Sequence, residues 1–334
     1  MRAEIISFTD AGFALAKRIK GIFTALGAQC GAACTHNNER LTARSWTEQV
    51  FGCADALIFV GATGIAVRSI APHLRSKTTD PAVLVIDEKA GYVIPLVSGH
   101  IGGANELALR LAEALGAVPV VTTATDINNL FSIDTWATRQ GMVIDNPEQI
   151  KWISARLLAG ETIRLRSDFP VVGTPPKGVV LCSDGEYDAI VTLRTKGKQK
   201  ALRMLPRILS VGVGCRKDIS CEAIGDAFRM ALAKGSLHEK AVRELCSIDL
   251  KAKEPGILEF CRTRALPFRT FSAQTLAGLK GNFTASSFVQ KVTGVDNVCE
   301  RSAVAGSGGK LILKKNAGNG VTMAVAAPDF IIRF

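Results

Sequence analysis

Aromatic side chains make up only 6% of the 334 residues. No helix-turn-helix, zinc-finger or ribonucleoprotein signature accompanies them, which argues against a nucleic-acid reader. Runs of about 18 consecutive apolar residues are missing, so no membrane-spanning helix is encoded. Residues 1–6 contain Glu4 and lack a basic stretch followed by an apolar one, so a secretory signal is not expected. Paired Cys-x-x-Cys motifs are absent too: the nine cysteines stand singly at 30, 34, 53, 182, 215, 221, 246, 261 and 299. An odd, scattered set reads as reduced thiols and offers zinc no ligand cluster. A cytoplasmic chain with no membrane partner and no metal among its own side chains is expected.

Acidic residues are the scarcer charge, 30 against 41 Lys and Arg, for a net of +11. The excess is uneven, +4 over residues 1–207 and +7 over 208–334. Residues 194–207 carry Arg194, Lys196, Lys198, Lys200, Arg203 and Arg207 and no acid. A basic surface speeds encounter with polyanions such as nucleotides or poly-carboxylated metabolites. A Lys-rich hairpin on a slightly basic protein explains the pattern equally well. With 47% hydrophobic and 21% charged residues the chain is globular. Its length suits two or three domains, each with its own core.

What the chain does have is alternation of strand and helix. Aliphatic runs at 4–8, Ala56–Val60, Ala82–Ile86 and Tyr92–Val97 fit strands, as does 118–121. Between them, 12–26 and 105–115 carry apolar residues at helical spacing and stop at Gly27 and Gly116. From about Asn146 the character changes: a helix at 147–158, then short β-like pieces at 163–166, Val179–Cys182 and 189–193. Pro175-Pro176, Asp184-Gly185 and Lys196-Gly197 punctuate them as turns. Leu205-Pro206-Arg207 reads as an exit linker, after which alternation resumes to the end. The organisation expected is α/β and multi-domain. Residues 1–140 and 207–334 form two mainly parallel, helix-covered sheet domains flanking a small α+β middle domain, 141–206.

Several strand ends are rich in glycine. Phe59-Val60-Gly61-Ala62-Thr63-Gly64-Ile65 opens a helix, where free N–H groups can hold an anion; an ordinary tight turn looks the same. It is neither a Walker A loop nor a Gly-x-Gly-x-x-Gly fingerprint. Ser98-Gly99-His100-Ile101-Gly102-Gly103-Ala104-Asn105 lies at the carboxyl end of a strand, where open α/β sheets bind ligands. His100 suits a general base or hydrogen-bond donor near neutral pH, or a loop histidine that caps backbone groups. In Thr122-Thr123-Ala124-Thr125-Asp126, Thr125 or Asp126 reads first as a cap for the next helix. Gly212-Val213-Gly214-Cys215-Arg216-Lys217-Asp218 adds two cations suited to carboxylate or phosphate; Cys215 is a nucleophile with no obvious His partner or, the preferred reading, a small buried residue. Ser247-Ile248-Asp249-Leu250-Lys251-Ala252-Lys253-Glu254 either faces a ligand or caps a helix beside solvated lysines.

Taken in order, the motifs at 61–65, 98–105, 122–126, 212–216 and 247–251, with Gly294-Val295 through Cys299-Glu300, resemble the CbiG family of cobalt-precorrin-5A hydrolases of anaerobic cobalamin biosynthesis. Each motif is unspecific alone; six in register over nearly the whole chain are specific. Arg301-Ser302 departs from the small apolar residues expected after Glu300.

The resemblance implies an enzyme that opens the δ-lactone of cobalt-precorrin-5A and releases acetaldehyde, giving cobalt-precorrin-5B. The substrate is a poly-carboxylated cobalt tetrapyrrole, which a chain of +11 attracts. Cobalt arrives in the substrate, whose ring takes up the electrons, so no cofactor of the protein's own is expected. Lactone opening needs an activated water and a stabilised oxyanion. His100 is the expected base or proton donor, with Asp126 and Asp249 as alternatives. Glycine-loop N–H groups at 61–64 and at Gly102-Gly103 are candidates for the oxyanion or for peripheral carboxylates. Arg68, Arg216 and Lys251 are expected to hold acetate or propionate arms. Gly61, Thr63, Gly64, Ser98, Gly99, Asn105, Thr123, Gly214 and Ser247 complete the expected substrate-binding set. Transient contact with neighbouring pathway enzymes is allowed, and the oligomeric state is left open.

Two other classes compete. A non-catalytic tetrapyrrole carrier is one, because the last segment resembles a stand-alone protein of the aerobic pathway. A nucleotide-dependent oxidoreductase is the other, and retention of NAD(P) by the purified protein discriminates it. A nucleic-acid role comes third and requires steeply salt-dependent binding.

Overall fold

In the computed structural model, residues 1–38, 40–76, 79–195 and 200–334 are described. The expected turn at Lys196-Gly197, and Lys198 with it, lie outside them. The chain divides into two units, Met1–Trp136 and Ala137–Phe334.

The first unit runs β1 (Arg2–Ser7), α1 (Asp10–Ala25), β2 (Gln29–Cys34), α2 (Ala43–Val50), β3 (Ala56–Val60), α3 (Thr63–Ile70), β4 (Ala82–Ile86), β5 (Tyr92–Val97), α4 (Ala104–Leu115), β6 (Val118–Pro119) and α5 (Ala124–Ile127), with α6 (Ile133–Arg139) at its end. Its six strands lie in the order β2-β1-β3-β4-β5-β6. β3 and β4 are buried on both faces, which is why they read as unbroken aliphatic runs rather than alternating ones. One face packs Ile5, Ile58 and Leu84 against Ile19 and Phe23 of α1 and Leu111 of α4. The other packs Ile6, Leu57, Phe59 and Val85 against Trp46 of α2 and Ile70 of α3. Thr9 caps α1 by accepting from Gly12 N, and Gly27 follows the helix with φ 72°, as the sequence predicts.

β5 is the exception in this sheet. It pairs antiparallel with β4, Val83 opposite Val97 and Ile86 opposite Val93, and β6 runs parallel to β5. The cause is local. The Asp87 carboxylate accepts from Lys89 N at 3.0 Å and Tyr92 N at 2.6 Å, closing a tight turn in which Ala90 takes φ 56°. The chain therefore doubles straight back instead of crossing over. The carboxyl ends of β5 and β6 lie at the edge where β1, β3 and β4 begin.

The second unit continues β7 (Met142–Ile144), α7 (Gln149–Leu158), β8 (Ile163–Ser167), β9 (Val171–Val172), β10 (Val179–Cys182), β11 (Ala189–Val191) and β12 (Leu202–Pro206). Then come β13 (Leu209–Cys215), α8 (Cys221–Gly235), β14 (Val242–Ile248), α9 (Pro255–Thr263), β15 (Phe268–Phe271), α10 (Ala273–Ala277), α11 (Ser287–Thr293), α12 (Cys299–Ser307), β16 (Lys310–Gly318), β17 (Val321–Ala327) and β18 (Ile332–Arg333). They build sheets in the orders β10-β8-β11-β12-β7 and β15-β14-β13-β17-β16, with β18 on β9 as a separate parallel pair. Leu205 and Pro206, expected in a linker, are the buried end of β12, paired with Val143 and Met142 of β7. A three-residue aliphatic stretch beside a proline carries too little pattern to separate edge pairing from a linker.

α12 lies so close on β13 that a Cβ at Gly212 would stand 1.8 Å from Cys299 O. Its Glu300 is fully buried and accepts from Thr284 N, Thr284 Oγ1 and Lys315 N at 2.7–2.9 Å. Arg301, the departure from small apolar residues, is accommodated at the helix edge. It donates to Asp296 and to the carbonyls of Leu276 and Leu279 and stacks on Phe283. Ser302 is buried and donates to main-chain carbonyls of Cys246 and Cys299. No helix among the described residues is long and apolar enough to cross a membrane.

Candidate functional site

The loop after β5 folds tightly on itself. A Cβ at Gly102 would lie 2.3 Å from Ser98 Cβ, so only glycine lets the turn close. Ser98, in the left-handed region at φ 58°, donates to Asp80 O at 2.9 Å. Gly103 ends the loop at φ 80° and starts α4. This closure aims His100 at the short helices that follow β6.

There His100 stands between two carboxylates. Its Nε2 is 3.0 Å from Asp126 Oδ2, and its Nδ1 is 3.3 Å from Asp134 Oδ1. Thr125 Oγ1 lies 3.4 Å from Nε2 and Ser132 Oγ 3.3 Å from Nδ1. Asn105 donates through Nδ2 to Asp126 Oδ2 at 2.7 Å and to Thr123 Oγ1 at 3.0 Å. The Asp134 side chain is 5% exposed and that of Asp126 36%, so the chain of groups runs from interior to solvent. The hydrogen bond to Asp134 raises the His100 pKa, with burial opposing and Asp126 adding to the rise. Burial works to raise Asp134, but hydrogen bonds from His100 and Ser132 hold it below the usual carboxylate range. The two carboxylates thus favour the imidazolium more than water does around a free histidine.

Thr125 and Asp126 do not cap α5: Thr123 stands at its N-cap and no side chain closes it. The Asp126 carboxylate is turned to His100 instead. Asp134 was not singled out from sequence, because Ser132-Ile133-Asp134-Thr135 has the look of an ordinary helix start. Its only signal was a second acid a few residues after Asp126.

Gly61, Thr63, Gly64 and Arg68 form a separate rim. Gly61 N donates to Ile86 O, and a Cβ on Gly61 would strike the Phe8 ring at 2.7 Å. The Arg68 guanidinium lies over Gly64, 3.6 Å from where a side chain would start. This rim is at the carboxyl ends of β1, β3 and β4, whereas His100 is at their starting edge. The length of β3, roughly 16 Å of strand, separates them. With β5 reversed, the two glycine loops offered for the oxyanion or for peripheral carboxylates stand at opposite edges of the sheet.

In the second unit, Gly214, Arg216 and Lys251 do line one cavity, of about 850 Å³. Phe288 and Val292 of α11 and Leu250 give it an apolar wall, all three well exposed. Lys217 and Lys315 join Arg216 as cations among its lining residues. Lys251 Nζ is already engaged, donating to Arg216 O at 3.0 Å and Glu254 Oε2 at 2.8 Å, so it shapes the loop as well as charging it. Ser247 is not available to a ligand: it is fully buried and donates to Val213 O at 2.7 Å. Asp249 opens an exposed 3-10 turn, Asp249–Lys251, and does not line the cavity. Cys215 lines it, with burial raising its thiol pKa. An apolar wall with a cationic lining suits a flat apolar ligand fringed by carboxylates.

Comparison with known proteins covers both units. Residues 45–126 match the family model described as Cobalamin synthesis G N-terminal. Residues 131–194 match Cobalamin biosynthesis central region, and 209–326 match Cobalamin synthesis G C-terminus. A Salmonella typhimurium protein named cobalt-precorrin-5A hydrolase is 32% identical over 345 aligned positions, 96% of each chain. A Priestia megaterium protein of the same name is 33% identical over 299 positions, 83% of this chain and 79% of that one. Protein CobE of a Sinorhizobium species is 30% identical over 123 positions, 36% of this chain and 80% of its own.

Proposed function

The chain belongs to the CbiG family of cobalamin biosynthesis, and on that premise we propose that it hydrolyses cobalt-precorrin-5A in the cytoplasm, opening the δ-lactone and releasing acetaldehyde. The observation that carries this reading is the His100–Asp126 contact on a closed glycine loop. His100 Nε2 faces Asp126 Oδ2 at 3.0 Å, and this reading gives that nitrogen the proton. Oδ2 also accepts from Asn105, while Oδ1 carries no hydrogen bond among the described residues. One pair thus presents an acidic proton and an open acceptor.

Asp126 Oδ1 takes a proton as water adds to the lactone carbonyl. The N–H of Gly102 is assigned to the developing oxyanion; that of Gly103 already donates to His100 O at 3.0 Å. His100 returns a proton to the departing alkoxide, and the proton on Asp126 crosses to His100 to reset the pair. The freed hydroxyl then gives its proton to the Asp126 carboxylate as the adjacent C–C bond breaks. Acetaldehyde leaves, and the electron pair passes to the cobalt-bearing ring. Cobalt belongs to the substrate, so the reading assigns the protein no cofactor of its own. The cavity of the second unit, with Phe288 and Val292 as an apolar wall and Arg216, Lys217 and Lys315 as cations, is suited by itself to a carboxylate-fringed macrocycle. The functional segments we assign remain 1–140, 141–206 and 207–334.

The test is anaerobic incubation with cobalt-precorrin-5A and trapping of acetaldehyde by wild type, His100→Ala and Asp126→Asn. Release by wild type and loss in both variants is expected. Equal release by all three removes the pair from the chemistry. Tight corrinoid binding without release by wild type favours the carrier.

A further inference from the structure

We propose that Asp134 is a positioning residue that acts through His100, fixing the Nδ1 edge of the ring so that Nε2 stays directed at Asp126. The inference rests on the functional reading above and adds a third member to its pair. Asp134 Oδ1 lies 3.3 Å from His100 Nδ1. The same oxygen accepts from Ser132 Oγ at 2.7 Å and Thr135 N at 3.0 Å. Those bonds hold the carboxylate still at the start of α6, with its side chain only 5% exposed. A half-turn of the imidazole would put a C–H edge against that buried oxygen, so only one ring orientation satisfies both carboxylates. The groups facing the ring are Asp126 and Thr125 from α5, and Asp134 and Ser132 from the start of α6. Asn105 of α4 reaches it through Asp126. Among the described residues both charged neighbours are acids, and the buried one is the better shielded from water, so it governs the proton affinity of the ring more strongly.

The experiment pairs an NMR titration of the histidine rings with steady-state acetaldehyde release, in wild type, Asp134→Asn and Asp134→Glu. The chain has 4 His, so the His100 signal is assigned by its loss in His100→Ala. In wild type His100 is expected to titrate above 6.5, and in Asp134→Asn its midpoint falls back toward that value. Asp134→Asn also lowers kcat roughly 10- to 100-fold at unchanged KM, and the basic limb of the pH–rate profile, where His100 loses its proton, moves with the titration. Asp134→Glu keeps the charge and restores part of both. An unmoved His100 titration together with wild-type kcat in Asp134→Asn overturns the proposal. Should that variant unfold, Asp134→Glu decides alone: a raised midpoint with reduced kcat supports positioning, and unchanged kcat removes it. The titration needs no substrate. Absence of acetaldehyde from wild type therefore strikes the functional reading and leaves the Asp134–His100 coupling to be read separately.

Discussion

Asn105 donates to Asp126 Oδ2 at 2.7 Å, onto the same oxygen that faces His100 Nε2 at 3.0 Å. Because Asn105 opens α4 while Asp126 sits on α5, this bond ties two helices to one carboxylate. It also leaves Oδ1 as the open acceptor.

Asn105→Ala is expected to let the carboxylate rotate and share both oxygens with His100 and solvent. Acetaldehyde release should fall about tenfold, with a stability loss of roughly 1–2 kcal/mol. Parallel kinetics and urea melts check it; unaltered kcat would show that carboxylate orientation does not matter.

The raised His100 pKa means that the folded state holds its proton more tightly than the unfolded chain. The stabilisation is fully present below the unfolded value of about 6.5 and is lost as pH rises through the higher folded value. Asp134 works in the opposite direction: its lowered pKa stabilises above about 3.9 and is lost as pH falls. The difference in Tm between wild type and His100→Ala should therefore be widest near pH 5–6 and shrink on either side. His238, whose pKa burial lowers, contributes equally to both proteins and cancels. A difference that grew toward pH 8 would contradict the assignment.

Gly212→Ala should be among the most damaging small substitutions. Its methyl would meet Cys299 O at 1.8 Å and Ala303 N at 2.7 Å, forcing α12 off β13 at a cost of roughly 3 kcal/mol or more. Gly64→Ala meets only the Arg68 guanidinium at 3.6 Å and should be neutral, or stabilising by up to about 1 kcal/mol. Chemical denaturation of the two variants separates a packing glycine from a replaceable one.

Phe288 is 74% exposed on α11 and lines the cavity of the second unit. Phe288→Ala should leave Tm within about 1 °C, since little area is lost, and weaken corrinoid binding about tenfold, a loss near 1.4 kcal/mol. Equilibrium binding followed by the corrinoid spectrum reads it, and undiminished affinity would remove α11 from the binding wall.

Much of this was legible in the sequence. The buried strands Ala56–Val60 and Ala82–Ile86 announced themselves because burial on both faces leaves no polar residue to blur them. β2, with the sequence QCGAAC, and α2, held by Trp46 and Val50, went unread: an edge strand of small residues and a two-turn helix carry little periodicity. His100 and Asp126 were chosen for their chemistry, and the structure brings them into contact. That the Gly61 loop and the His100 loop lie at opposite edges was not legible, because a single sequence shows that a loop follows a strand, not which way that strand points. Ser247 looked chemical among Asp249 and Lys251, yet strand alternation turns it inward to Val213. Asp134 was hidden because a carboxylate at a helix start is ordinary until a histidine is seen against it.

The hairpin at Asp87 has a consequence for how this protein can change. A sheet with all strands pointing one way has a single productive margin, and every loop there competes for the same space. By sending β5 back along β4, the first unit acquires two such margins, kept apart by a slab of aliphatic side chains. The loop after β3 can be lengthened, recharged or replaced with little disturbance to the proton pair at the far margin. A new specificity could be grafted there while the old chemistry is kept.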